Sequence, residues 1–514
     1  MAGNDLREAG PGLIREWIER AARHDPHKPY IISVEDGRTL SYGALYDLTR
    51  RIATLLGERG IATNDRIALL AGNAIEHVVC YLGVLAYGAT ICTVHVEMNR
   101  RHLGGILAQL NPRLAILGDD IASDAIAAAA QGVPLGRWDD PAAGTLFADI
   151  NRCEPTDVHL DRTTALDDGV ILFTSGTTDR PKGVVLSYRE QIGNIEPVAE
   201  GFGITASDRV YDFRSFNWAS AQLLGVLAPL SRGATLVMAK KFSASRFFDD
   251  VRTHAVTIAA GNPTTINMLL ASASVVAPAD VASLRFMTSS SAPLTAEEWR
   301  RFEMRFGVPV AQSYGSSETA WIAVNPGRER RFGSVGRPLA YHRLAIVDAG
   351  GRAVPAGEPG EVELGGFDDT AYRYLGGDGT AQVASRGRIR TGDIGYLDAE
   401  GFLYLTGRAK ELIIRGGVNI SPVEIDGVLM QHAEVAEAAT VGVPDPVWGE
   451  EVVSFVVLRA GAVFAADDLA RHCAAQLPAF KAPKRILVRE TLPKSERGKL
   501  DRKALVAEWC AARV

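Results

Sequence analysis

The chain reads as an α/β protein that carries a small β unit and then a compact α+β unit. Three observations point there. Short apolar runs alternate with helical patterns through most of the first 330 residues. Gly- and Pro-rich turns such as DAGGRAVPAGEPGE separate short strands after about Gly333. A third texture begins beyond Gly407-Arg408-Ala409-Lys410-Glu411. Strands interleaved with helices call for layered, mostly parallel sheets. At 514 residues more than one domain is expected, because single cores stop growing at roughly 250–300 residues.

The elements follow in order. RIALLAG from Arg66 is a strand, Glu76–Leu85 a helix and Thr90–Val96 a strand. Val78–Val96 carries no Asp, Glu, Lys or Arg, which raises the question of a membrane span. Gly83, Gly88 and His95 interrupt it and its end, ICTVHV, is β-branched, so it reads as a buried helix, a turn and a buried strand. RLAILGD from Arg113 is the next strand, and Ala125–Ala130 reads as a surface helix. ATLVMA from Ala234, VTIAAG from Val256, LRFMTS from Leu284 and VPVAQSYG from Val308 continue the series. The boundaries expected are 1–408 for the large unit, with its β part over about 333–408, and 409–514 for the last. In that last unit VVSFVVL is a strand and Asp467–Leu477 a helix.

Composition narrows the class. A hydrophobic share of 47% and a charged share of 23% are those of an ordinary globular protein. A formal net charge of −6 argues against a sequence-independent nucleic-acid binder. The five cysteines (Cys80, Cys92, Cys153, Cys473, Cys510) are scattered and contain no CxxC pair. That pattern is neither a disulfide framework nor a zinc site, and it fits a reducing cytoplasm. MAGNDLREAG lacks the basic-then-apolar order of a secretory signal. The final Ala-Arg-Val is no peroxisomal address. A homodimer is compatible with the sequence and not specified by it.

One stretch carries the most chemistry: ILFTSGTTDRPKGVVL, Ile171–Leu186. A strand leads into Thr174, Ser175, Gly176, Thr177 and Thr178, and Lys182 precedes a second apolar run. Hydroxyls, close backbone N–H groups and one cation suit a phosphate-bearing ligand, though taken alone the run could be a polar surface hairpin. It is not a Walker loop, since Pro181 precedes Lys182 and Gly183 follows it. Two other runs end in small polar loops, Ser289–Ser291 and Tyr314–Ser317. In mostly parallel sheets ligands gather at such carboxyl ends.

Further motifs join at large separations: YGSSE (Tyr314–Glu318), RTGDIGYLDAEGFLYLTGR (Arg390–Arg408), IIRGGVNISPVEI (Ile413–Ile425) and PKSERGKLDRK (Pro493–Lys503). Together they resemble the adenylate-forming superfamily of acyl-CoA synthetases, luciferases and peptide-synthetase adenylation domains, from about residue 10 to 510. The resemblance implies a large N-terminal domain of two α/β sheets with a small β barrel, and a mobile α+β C-terminal domain. It implies an acid–CoA ligase using ATP, Mg²⁺ and CoA: a carboxylate attacks the α-phosphate, and a thiol then takes the acyl group from the adenylate. It further implies that Thr174–Lys182 holds the β- and γ-phosphates, with Ser291, Ala292, Pro293 and Gly315 also along the nucleotide. By the same likeness Ser317 bonds the α-phosphate, Glu318 binds Mg²⁺, and Tyr314 stacks on adenine. Asp393 and Arg408 take the ribose, and Lys499 reaches the α-phosphate and acyl oxygen. Lys410 is the implied hinge, and Arg415, Gly416 and Gly417 the loop that approaches the pantetheine arm.

The chain also departs from that pattern. Asp179 stands where the phosphate loop commonly has glycine, a place where its tolerance of left-handed geometry suits a turn. Trp218 stands where many relatives have a gating histidine; Ser290 and Ser291 replace glycines; Trp321 replaces something smaller. Filled volume excludes long chains, so a small acid is expected, or else these side chains pack in the core. Arg214, at the end of an apolar strand, needs an anionic partner if buried: either the substrate's second carboxylate or sulfonate, or an internal ion pair. The chain ends fifteen residues after Lys499, which favours free CoA over a carrier protein as acceptor. The alternatives are an adenylation enzyme that loads a carrier protein and, from another class, a non-catalytic nucleotide sensor.

Overall fold

The structure is a computed structural model that describes residues 9–95, 102–118, 135–137, 145–174, 181–292, 294–327, 329–365, 371–459, 461–462, 466–494 and 500–511. Two large sheets dominate the first part. The first runs Arg337–Pro338, Ala320–Asn325, Val310–Ser316, Phe286–Ser289, Ile258–Ala259, Arg209–Asp212, Thr235–Met238, Pro29–Ser33, Thr39–Ser41. Its six central strands are parallel and its edges antiparallel. The second runs Ala381–Arg386, Ala371–Leu375, Lys182–Ser187, Asp168–Thr174, Thr90–Thr93, Arg66–Leu70, Leu114–Leu117, Leu135–Arg137. It is parallel from Asp168–Thr174 onward and antiparallel on the other side.

The uncharged stretch resolves as expected. Helix Ile75–Tyr87 is buried nearly all round, Gly88 closes it at φ 108°, and Thr90–Thr93 follows as a buried strand. A left-handed C-terminal residue is cheap only for glycine. Gly83 lets the helix lie against Tyr42–Glu58: a Cβ there would stand 2.6 Å from Ile52 Cδ1. Among the described residues no helix is long and apolar enough to cross a membrane.

Where the resemblance implies a small barrel, four antiparallel strands stand in the order Arg343–Val347, Gly360–Gly365, Arg388–Leu397, Leu403–Arg408. The hairpin Ala371–Leu375/Ala381–Arg386 lies inside that span yet leaves it, pairing through Tyr374 and Arg373 with Val184 and Val185 of the eight-stranded sheet. The last unit has its own sheet: Val418–Ile420, Ile413–Arg415, Gly449–Leu458 and Val435–Asp445, with Arg485–Val488 beside Gly449–Leu458. Helices Pro422–Met430, Ala466–Gln476 and Arg502–Ala511 complete it. The expected helix over Ala125–Ala130 lies outside the described residues.

Candidate active site

Sheet register brings two of the three polar loops together. Phe286–Ser289 and Val310–Ser316 are parallel neighbours, with Ser289 opposite Gln312, so both end at one edge. Ser290 is buried there, while Ser291 is exposed with φ 71° and Ala292 is half-buried. Pro293 lies outside the described residues.

Beyond Tyr314 the chain turns tightly. Gly315 has no room for a side chain, since a Cβ would stand 2.2 Å from the Ala320 carbonyl. Ala320 itself takes φ 58°. Ser316 and Thr319 hydroxyls meet at 2.9 Å, and the Thr319 carbonyl accepts from His342 Nε2 at 2.8 Å. This turn presents Ser317 and Glu318 half-buried. Glu318 Oε1 accepts from the Tyr374 hydroxyl at 3.2 Å.

The four-stranded sheet supplies the next group. Asp393 and Arg408 are cross-strand partners, and Arg408 Nε lies 2.9 Å from Asp393 Oδ1. The Tyr314 hydroxyl donates to Asp393 Oδ2 at 2.5 Å. Burial first, and the neighbouring carboxylate second, push the Tyr314 phenol well up, so it remains a donor. Tyr314, Asp393 and Arg408, widely separated in the chain, therefore form one connected set. Lys182 faces Thr174 across the hairpin, exposed, its Nζ 5.7 Å from the Tyr374 ring centroid. Ser175, Gly176, Thr177, Thr178 and Asp179 lie outside the described residues, as does Lys499.

The residues assigned to the acyl wall divide. Trp218 begins the short helix Ala219–Ala221 and stacks on His95 at 5.9 Å. Trp321 is 2% exposed and meets Phe202 edge-on at 5.5 Å. Arg214 is buried and closes on Asp212, Nε to Oδ1 at 3.0 Å and Nη2 to Oδ2 at 2.7 Å. Of the two partners expected for that arginine, the structure supplies the internal one. Nη2 also donates to the Ser220 carbonyl at 3.1 Å. Arg214 Nη1, Trp321 Nε1 and Ser290 Oγ are buried without a hydrogen-bond partner among the described residues.

Asp212, Tyr374 and His342 were not expected. Asp212 could have been: two residues before Arg214 on a strand end, it shares that residue's face. Behind it, Gln222–Leu227 forms a π-helical turn in which a Cβ on Gly225 would stand 2.6 Å from Asp212 Oδ2.

At the second unit, Lys410 lies in the 3₁₀ turn Ala409–Glu411, two residues past Arg408. Arg415 pairs with Glu451 at 2.6 Å and lies over Trp448 at 4.8 Å. Gly416 and Gly417 take φ 57° and 82°, with Gly416 N–H on the Trp448 carbonyl at 2.8 Å.

For Mg²⁺ the donor set is sparse. Among the described residues no three His, Cys, Asp or Glu gather. Mg²⁺ normally takes one or two carboxylates and fills its shell with phosphate oxygens and water. The single, oriented carboxylate of Glu318 fits that demand.

Residues 18–372 match the model of the AMP-binding enzyme family, and 424–499 match the AMP-binding enzyme C-terminal domain. The chain belongs to this family. It is similar to the sulfoacetate–CoA ligase of Cupriavidus necator, 35% identical over 94% of this chain and 95% of that protein. The oxalate–CoA ligase of Arabidopsis thaliana is 31% identical over 96% of this chain and 98% of that protein. ATP-bound MatB from Rhodopseudomonas palustris superposes with TM-score 0.85 at 26% identity, covering 96% of this chain and 99% of that one. This family member is an enzyme of the AMP-forming acid–CoA ligase class.

Proposed function

We propose that this ligase activates a small carboxylic acid whose far end is rich in hydrogen-bond acceptors, a second carboxylate or a sulfonate, and transfers it to CoA. The observation that carries this reading is a set of buried groups without a hydrogen-bond partner among the described residues: Trp321 Nε1, Ser290 Oγ and Arg214 Nη1. Indole and guanidinium nitrogens can only donate, and a hydroxyl readily does. Each unsatisfied group costs about 1–3 kcal/mol, which ligand oxygens would relieve. Two of them lie about the helix Ala219–Ala221: Arg214 bonds Ser220, and that helix contacts the strand of Trp321. Sulfoacetate and oxalate, the acids named for two relatives, each carry a second anionic end. In this reading Trp218 and Trp321 fill volume that a longer chain would need.

Adenylation then needs charge held in place. The carboxylate oxygen attacks the α-phosphorus and pyrophosphate leaves. In this reading Lys182 and the loop after Thr174 hold the β- and γ-phosphates, and Ser317 the α-phosphate. Tyr314 packs on adenine, Asp393 and Arg408 hold the ribose, and Lys499 faces the α-phosphate. Mg²⁺ held by Glu318 would neutralise phosphate charge when bound. A charge pair at 4 Å is worth roughly 4 kcal/mol at an effective dielectric of 20, or about a thousandfold in rate. In the second step the CoA sulfur attacks the acyl carbon, AMP leaves, and the thiol proton goes to solvent.

The test is pyrophosphate release from Mg-ATP across acetate, malonate, sulfoacetate, oxalate, benzoate and octanoate, with and without CoA. A CoA-stimulated signal on one of the small two-ended acids is expected. A preference for octanoate would sink the reading.

A further inference from the structure

Tyr374 touches both halves of the proposed Mg-ATP machinery and belongs to neither motif. It stands on the strand that the hairpin Ala371–Leu375/Ala381–Arg386 adds to the eight-stranded sheet, opposite Val184. That register places it two residues from Lys182, whose ammonium lies 5.7 Å from its ring centroid. From there its hydroxyl reaches the turn at the end of the nine-stranded sheet and donates to Glu318 Oε1 at 3.2 Å. One side chain thus spans the two sheets and meets a cation with its face and a carboxylate with its edge.

We propose that Tyr374 is a positioning residue that orients Glu318 toward Mg²⁺ and steadies Lys182 for the triphosphate, registering metal and nucleotide through one ring. This rests on the reading of Glu318 and Lys182 given above. A carboxylate that binds a metal needs its direction fixed by an outer partner, and a donor on Oε1 leaves Oε2 for the ion. An aromatic face attracts an ammonium through its quadrupole, which favours one place for the cation beside the ring. Tyr374 also lines a cleft of about 490 Å³ with Tyr372, Arg388 and Arg390.

The test separates the two contacts. Tyr374→Phe keeps the ring and removes the hydroxyl; Tyr374→Leu removes both. Mn²⁺ binding to the enzyme–ATP complex, read by electron paramagnetic resonance, is expected to weaken about tenfold in Tyr374→Phe, the worth of one charge-assisted hydrogen bond. Calorimetric affinity for metal-free ATP should stay within about twofold of wild type in Tyr374→Phe and fall in Tyr374→Leu. The KM for the acid should not move in Tyr374→Phe. Glu318→Gln and Lys182→Ala serve as references. Should Tyr374→Phe bind Mn²⁺ as wild type does while Glu318→Gln weakens it, the positioning role is overturned. Should both references leave Mn²⁺ and ATP binding unchanged, the underlying assignment falls, and this inference with it.

Discussion

Arg214 shows how a buried charge is settled locally. Its side chain is 3% exposed and that of Asp212 is fully buried, with two hydrogen bonds joining them. Removing one partner strands the other, which costs about 3–5 kcal/mol, whereas replacing both with apolar residues is often near neutral. Arg214→Leu should therefore lower urea-unfolding stability by about that amount, and Arg214→Leu with Asp212→Leu should recover most of it. An additive double variant would show that the pair is not coupled. Trp321 poses the complementary question, because its Nε1 has no hydrogen-bond partner among the described residues. Trp321→Phe keeps an aromatic ring beside Phe202 and deletes the donor. We expect kcat/KM for malonate to fall about tenfold relative to acetate, the worth of one hydrogen bond to a charged acceptor. An unchanged ratio would remove Trp321 from tail recognition.

Single elements set how the site is assembled and how it moves. Arg408 ends the strand Leu403–Arg408 and Lys410 sits in the 3₁₀ turn after it, so the ribose contact lies just upstream of the proposed pivot. Proline fixes φ and removes an N–H. Lys410→Pro is expected to leave pyrophosphate release within about threefold of wild type and to slow thioester formation at least tenfold, the signature of a blocked rotation. Lys499→Ala should do the reverse, losing adenylation while sparing thioester formation from supplied acyl adenylate. Equal loss in both half-reactions, measured separately, would reject both roles. At this level the strands were the most legible feature. The runs from Arg66, Arg113, Ala234 and Leu284 stand where their apolar character puts them, as does the helix expected at Asp467–Leu477, found at Ala466–Gln476. The hairpin that carries Tyr374 was not legible, because its pairing partner lies far upstream and no local pattern encodes a distant edge. The π-helical turn at Gln222 was hidden for a related reason: periodicity reports a helix, not its pitch.

For the molecule as a whole, the motifs were visible individually, but their meeting was not. Tyr314, Asp393 and Arg408 come from two sheets, and only the fold makes them neighbours. His342 shows the same dependence and links the site to global stability. It is buried, edge-on to Tyr341, and bonded to the carbonyl of Thr319 behind the Ser317–Glu318 turn. Burial holds it neutral and lowers its pKa from 6.5 to about 4. Between those values the unfolded chain binds the proton and the native state does not, so acidification favours unfolding. At about pH 5 this amounts to about 2 kcal/mol relative to neutral pH. Denaturant titrations should show wild type losing that much more on acidification than His342→Gln, which retains a donor and cannot titrate. Equal losses would mean that the histidine is protonated or solvated in the native state.

Asp212 also constrains the residue behind it. Its carboxylate occupies the space a side chain at Gly225 would need, 2.6 Å from the absent Cβ. Inheritance at 212, 214 and 225 is consequently linked. A lineage can change the arginine only alongside the aspartate, and once an alanine enters at 225 the acid cannot return without displacing it. Loss of this ion pair during divergence is a ratchet, and relatives with a larger residue at the place of Gly225 are expected to lack the acid at the place of Asp212.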